Sequence, residues 1–107
     1  MPGYLANSGQ LADKGVDTIA CMSVNDADVM NAWGKDLGVD GRIRMLADGN
    51  GDYASALGLD IDSSAFNMGK RSRRFAMIVD DGVATYVAVD EPGQFSVSSA
   101  ESILEHL

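Results

Sequence analysis

Apolar positions along the chain alternate between two kinds of run. Thr18-Ile19-Ala20-Cys21-Met22-Ser23-Val24 and Phe75-Ala76-Met77-Ile78-Val79 are continuously apolar or small, the pattern of strands covered on both faces. Val29, Ala32, Trp33 and Leu37 recur at helical spacing behind Asn25, which reads as the N-cap, with Asp26 and Asp28 in the first turn and Gly38 as the stop. A short helix starts at Pro2, shows Tyr4, Leu5, Leu11 and Ala12 on a loose face, and closes at Lys14-Gly15. Arg42-Ile43-Arg44-Met45-Leu46-Ala47 reads as a strand whose polar start suits a sheet edge. Asp52 to Leu57 forms a short helix ended by Gly58, and Leu59 to Met68, with no period, reads as a surface connection. Asp81-Gly82 is a two-residue hairpin signal between the Phe75 strand and Val83 to Val89. Asp90-Glu91-Pro92-Gly93 is a turn, Phe95 and Val97 form a short extended piece, and Ser98 or Ser99 caps a last helix carrying Ile103, Leu104 and Leu107. The order implies an α/β fold with a mixed sheet and helices on both of its faces.

Composition narrows the classes. At 107 residues with 46% hydrophobic positions, the chain is expected to form one domain with a real core. No apolar run approaches the ~18 residues of a membrane span, and no basic-then-apolar leader opens the chain, so a soluble, cytoplasmic protein with no membrane partner is expected. The net charge of −8 argues against nucleic acid as a partner. The one cysteine, Cys21, excludes an internal disulfide and a multi-cysteine metal site; lying mid-strand in an apolar run, it is expected to be an inert core thiol. Half of the eight cations, Lys70, Arg71, Arg73 and Arg74, precede the Phe75 strand, either as an anion site or as a solvated loop. Asp48-Gly49-Asn50-Gly51-Asp52 has the spacing of half a calcium loop, but Tyr53 replaces the turn glycine and Leu59 the bidentate glutamate, so a turn and helix cap is expected. His106 has no ligand partner at metal spacing and is expected in solvent, while Trp33 is expected in the core or an interface.

With that order of elements, the chain resembles the peroxiredoxins, in particular the peroxiredoxin-5-like branch of the thioredoxin-fold thiol peroxidases. The resemblance rests on Pro2-Gly3-Tyr4-Leu5, on Lys14-Gly15-Val16 running into Ile19 to Asp26, and on Trp33-Gly34. It continues through Met45-Leu46-Ala47-Asp48 and Arg73-Arg74-Phe75-Ala76-Met77-Ile78-Val79-Asp80-Asp81-Gly82, and so covers nearly the whole chain. It implies a thioredoxin-like mixed sheet with flanking helices. The implied activity is reduction of hydrogen peroxide or organic hydroperoxides by a thiolate at a helix N-terminus, inside a Pro-x-x-x-Thr-x-x-Cys motif, with no cofactor and no metal.

These 107 residues do not contain that motif. The resemblance places it just before Pro2-Gly3-Tyr4-Leu5, on a helix fed by the central strand of the sheet. The chain is therefore expected to be N-terminally truncated relative to the family, to lack that central strand, and to be inactive as written. The strands around Cys21 and Met77 would then close up, recruit a strand from another chain, or belong to a longer product. Arg74 matches the family's active-site arginine, which lowers the thiol pKa and polarises the peroxide. No cysteine stands in Gln94 to Ser99, where some relatives carry a resolving cysteine, so the resemblance implies an external thiol such as glutathione or a redoxin. A homo-oligomer is expected. The alternative function is a non-catalytic binding or dimerisation module that pairs through exposed strand edges, and a third is a small anion-binding protein built on residues 70–74.

Overall fold

A computed structural model describes residues 1–91 and 93–107. The chain forms two compact units, Met1–Val16 with Arg73–Leu107, and Asp17–Ser72. Pro92 lies outside the described residues, and with it the centre of the turn expected at 90–93. Among the described residues no helix is long and apolar enough to cross a membrane.

The second unit contains a right-sized β-α-β piece. β1 (Ala20–Ser23) runs parallel to β2 (Arg44–Ala47), with Cys21 opposite Met45 and Met22 opposite Leu46. The parallel pairing demands a crossover, and α3 (Ala27–Leu37) supplies it. Its cap is Asp26, whose carboxylate accepts the Val29 N–H at 2.8 Å, so the Asn25 expected in that role sits one position too early. Asn25 instead donates to Ser23 Oγ at 2.8 Å. Gly38 ends the helix in the left-handed region, φ 70°, and the Val39 N–H returns to the Gly34 carbonyl. Met30, Val39, Ile43 and Ala54 form the buried core of this unit.

The connection expected at 59–68 is more ordered than its composition suggests. After α4 (Asp52–Ala56) come β3 (Asp60–Asp62), a 3-10 turn at Ser64–Phe66 and β4 (Lys70–Ser72). β3 and β4 pair antiparallel, with Ile61 opposite Arg71. The first cations of the basic cluster therefore sit in a hairpin strand and not in a loop. Three-residue strands show no period, and their pairing is set by the turn between them.

In the first unit, the N-terminal helix is two helices, α1 (Pro2–Ala6) and α2 (Ser8–Asp13). Asn7 interrupts them, because its side-chain amide donates to the Gly3 carbonyl at 2.8 Å and competes with the helical ladder. β5 (Phe75–Asp80) and β6 (Val83–Val89) form the expected hairpin, and Asp81 and Gly82 both take positive φ, 50° and 78°, as the tight turn requires. Residues 96–98 make a bend and turn, and not the extended piece expected over Phe95 and Val97. α5 (Ala100–Leu104) is capped by Ser99, whose Oγ accepts the Ser102 N–H at 3.2 Å.

Ser98, the other candidate cap, serves Asp90. One Asp90 oxygen accepts the Ser96 N–H, the Ser96 hydroxyl and the Val97 N–H, each at 3.0 Å. The other accepts the Ser98 N–H at 3.2 Å and the Ser98 hydroxyl. Asp90 is only 3% exposed, so these five donors replace its water shell. Above all the Ser98 hydroxyl, then the Val97 and Ser96 donors, hold its carboxyl far below the usual carboxylate range, against the opposing effect of desolvation. The Tyr4 hydroxyl donates to the Ser98 carbonyl, which fastens α1 to the start of α5. Burial, followed by the charges of Glu101 and Asp90, pushes that phenol up to about 12.

Among the described residues the strands form three two-stranded sheets, β1-β2, β3-β4 and β5-β6, and parallel and antiparallel pairs coexist in a mixed α/β fold. Within its own unit, the strand around Cys21 pairs with β2 and the strand around Met77 with β6.

Two outcomes test this packing. A Cβ on Gly34 would lie 3.0 Å from Met45 Cγ and 3.4 Å from Val39 Cγ2, so Gly34→Val is expected to destabilise the chain by about 1–3 kcal/mol, read from the urea midpoint. Asp90→Asn is expected to lower the melting temperature at pH 7 by on the order of 5 °C. Because the folded pKa lies below the unfolded one of about 4, the Asp90 contribution is complete above the unfolded value and is lost as pH falls toward the folded value. The gap between wild type and variant thus persists from pH 8 to 5 and closes in strong acid; closure already at pH 6 would refute the assignment.

Candidate functional site

Arg74 stands at the mouth of β5, and its backbone is fixed there by the sheet. The Asp90 N–H donates to the Arg74 carbonyl at 2.9 Å, one step beyond the last register pair, Phe75 with Val89. The side chain is exposed, and its guanidinium carbon lies 5.0 Å from the centroid of the Phe95 ring. That contact is worth about 0.5–1 kcal/mol at an exposed site and leaves the charge unneutralised. Among the described residues the Arg74 guanidinium has no carboxylate or carbonyl partner, so its N–H groups remain available to an oxygen-rich ligand. Phe95 belongs to the segment leading into the Ser96–Ser98 turn held by Asp90, so the Asp90 carboxylate fixes the platform under Arg74.

Two of the other three cations of the cluster, Arg73 and Arg71, are committed. Arg73 Nη2 donates to the Asp90 carbonyl at 3.4 Å and lies 4.0 Å from a Glu91 carboxylate oxygen. Arg71 spans its own unit: Nη1 donates to the Val24 carbonyl at 3.3 Å and Asn25 Oδ1 at 3.2 Å, and Nε to the Met68 carbonyl at 2.9 Å. The Lys70 stem lies over Gly51, with Cδ and Cε 3.0 and 3.2 Å from where a Cβ there would be. Sequence reasoning treated Lys70, Arg71 and Arg73 as one feature; the structure separates Arg71 and Arg73 from Arg74 by what each bonds to.

Cys21 is half-buried in β1 rather than enclosed in the core, and burial pushes its thiol up, away from the reactive thiolate. Asp48 caps α4, its two oxygens accepting the Tyr53 N–H at 3.1 Å and the Ala54 N–H at 2.9 Å, as the turn-and-cap reading of 48–52 requires. No cluster of three potential metal-ligating side chains occurs among the described residues. His106 is exposed but not idle. Its ring stacks on Tyr86 with centroids 4.0 Å apart, and Nδ1 lies 2.9 Å from the Ser102 carbonyl. Trp33 is 36% exposed and so lies at the surface of α3. The roles of Asp90, Ser98 and Phe95 carry no sequence signal beyond a serine-rich stretch before a helix.

Comparison with known proteins turns this geometry into a family assignment. The redoxin family model matches residues 1–104. The chain is 46% identical over 109 residues to peroxiredoxin-2E, chloroplastic, of Arabidopsis thaliana, and 45% identical over 107 residues to peroxiredoxin-2B of the same plant. All of the chain is matched in both cases, against 47% and 66% of those relatives, so it spans about half to two thirds of their length. Among solved structures, the reduced Prx3 in complex with H2O2 from Vibrio vulnificus superposes with a TM-score of 0.94 at 51% identity, covering 99% of this chain and 68% of that one. A protein from Burkholderia cenocepacia described as a putative thioredoxin reductase gives a TM-score of 0.97 at 52% identity, covering 99% and 63%. With this match over nearly the whole chain, the chain belongs to the redoxin family and, within it, to the peroxiredoxins.

Proposed function

We propose that this chain is the arginine-bearing part of a thiol-dependent peroxidase that reduces hydrogen peroxide or organic hydroperoxides. The observation that carries the reading is the Arg74 guanidinium, ordered over Phe95 at 5.0 Å and left without a counter-ion among the described residues. A permanent cation held in that way favours a nearby thiolate over its thiol and stabilises the charge that develops on the peroxide oxygens as the O–O bond breaks. In the overall reaction, a thiolate sulfur attacks one peroxide oxygen, the other leaves as water or an alcohol after taking a proton, and the sulfur becomes a sulfenic acid. An external thiol such as glutathione or a redoxin condenses with the sulfenic acid to a mixed disulfide, releasing water, and a second thiol then displaces the free thiol from it.

The nucleophile of this proposal is not Cys21, whose thiol is pushed toward its protonated form by burial. It belongs to a Thr-x-x-Cys segment outside these 107 residues, and the 107 residues alone are inactive. A reducing cytoplasm suits such a cycle, because the reductant is a cellular thiol. A homo-oligomer is part of the same proposal. The second reading, a non-catalytic module that pairs through strand edges, is favoured by one observation: each sheet has two strands and hence two unpaired edges among the described residues.

The test begins with the intact mass of the protein purified from its source, compared with 11.3 kDa for this chain. In a form that carries the additional thiol, Arg74→Met is expected to lower the second-order rate constant for peroxide by about 10²-fold while leaving the fold intact. The 107-residue chain is expected to turn over no peroxide, and turnover abolished by Cys21→Ser would overturn the proposal.

A further inference from the structure

Three groups of one residue, Asp90, act on the two arginines that precede β5. Its N–H donates to the Arg74 carbonyl at 2.9 Å, and its carbonyl accepts from Arg73 Nη2 at 3.4 Å. Its carboxylate gathers the donors of Ser96, Val97 and Ser98. The two adjacent cations are thereby given different surroundings. Arg73 is drawn to Asp90 and lies 4.0 Å from a Glu91 carboxylate oxygen, where an opposite charge offsets its own. Among the described residues, Arg74 is held by its backbone bond to Asp90 and by the Phe95 ring, whose centroid is 5.0 Å from the guanidinium carbon. All of these groups lie in the unit formed by Met1–Val16 and Arg73–Leu107, so the arrangement is internal to one compact unit.

An exposed arginine has several side-chain torsions to fix before its N–H groups can meet a reacting oxygen, and that ordering is a cost. A ring already against the guanidinium removes part of it. A carboxylate would order the side chain more strongly, but it would occupy the N–H groups and cancel the charge. The ring face attracts the cation through its quadrupole and takes up none of the N–H groups in the guanidinium plane. Phe95 is 57% exposed, so its side chain fills no core position. The turn beside it is built from the backbone N–H groups of residues 96–98 and two serine hydroxyls, and none of these donors belongs to Phe95. The ring is therefore not what holds the turn, and its contact is with Arg74.

We propose that Phe95 is a positioning residue for the peroxide reaction, its ring face ordering the Arg74 guanidinium in advance while leaving the cation unneutralised. The inference rests on the thiol-peroxidase reading above and adds to it a residue that acts through Arg74. What matters is the π face and not apolar bulk. A leucine would occupy the place without attracting the cation, whereas tyrosine and tryptophan keep an attracting face.

The first measurement uses the 107-residue chain. In its NMR spectrum the Arg74 Nε–H proton is expected to be shielded by the ring, with the upfield shift kept in Phe95→Tyr and lost in Phe95→Leu. The second uses the form that carries the additional thiol. There Phe95→Leu is expected to lower the second-order rate constant for hydrogen peroxide about 2–5-fold, the worth of such a contact at an exposed site. Because a less ordered cation favours the thiolate less, the midpoint pH of thiol alkylation is expected to rise by about 0.4–0.7. Phe95→Tyr and Phe95→Trp are expected to restore both values, and in an Arg74→Met background Phe95→Leu is expected to change neither. A Phe95→Leu form equal to wild type, while Arg74→Met loses about 10²-fold, overturns this inference and leaves the peroxidase reading standing. Absence of the shielding, or an equal loss from Phe95→Leu with and without Arg74, does the same. An Arg74→Met form as fast as wild type overturns the peroxidase reading and this inference with it.

Discussion

The Asp90 carboxylate is the point on which the first unit depends. A buried carboxylate is costly unless donors replace its water, and here two N–H groups and a hydroxyl meet one oxygen while an N–H and a hydroxyl meet the other. All five donors come from three consecutive residues, Ser96, Val97 and Ser98, so one charge winds this stretch into a turn directly before α5. The consequences spread from there. The Ser98 carbonyl takes the Tyr4 hydroxyl and draws in α1, and the Asp90 N–H closes on Arg74 and extends the β5-β6 ladder. Phe95 is set at the edge of the turn, beneath the guanidinium.

The second unit solves the same problem with other groups. Strands that end beneath a helix leave carbonyls and N–H groups at the exit, and each exit here has a dedicated side chain. Arg71 satisfies the Val24 carbonyl and Asn25 at the end of β1 and reaches Met68 beyond β3. Asp48, at the end of β2, takes the first N–H groups of α4. Ser23 relays between Asn25 and the buried sulfur of Met30, donating to it at 2.9 Å. In both units the helix and strand bodies are held by apolar packing, and single polar residues decide where the chain turns.

That division explains what could be read in the sequence. α3, the β5-β6 hairpin and the parallel partner of β1 follow from local period, from Gly38 and from Asp81-Gly82, because each of those signals acts within a few residues. β3 and β4 could not be read, since three residues carry no period and their stability comes from each other. The cap of α3 was displaced by one residue because Asn25 and Asp26 are equally good caps in isolation; Arg71, far along the chain, claims Asn25. The same holds at the site. Resemblance pointed to Arg74, but what orders its guanidinium is Phe95, and what orders Phe95 is a charge at Asp90 that has no signature of its own.

The choice of partner for Arg74 has a chemical consequence. A guanidinium is ordered most strongly by a carboxylate in a bidentate pair, and Arg73 shows the weaker version of that arrangement with Glu91. Pairing of that kind cancels the field the cation would exert on a third group. The face of an aromatic ring holds the cation by its quadrupole and donates no net charge, so among the described residues Arg74 is positioned without being neutralised. Cys21 shows the opposite condition, a thiol that burial drives toward its protonated and unreactive form. A peroxidase needs a thiolate, and an unneutralised arginine stabilises one. The proposed function assigns the electrostatic half of that chemistry to Arg74, while burial sets the Cys21 thiol against the nucleophilic half.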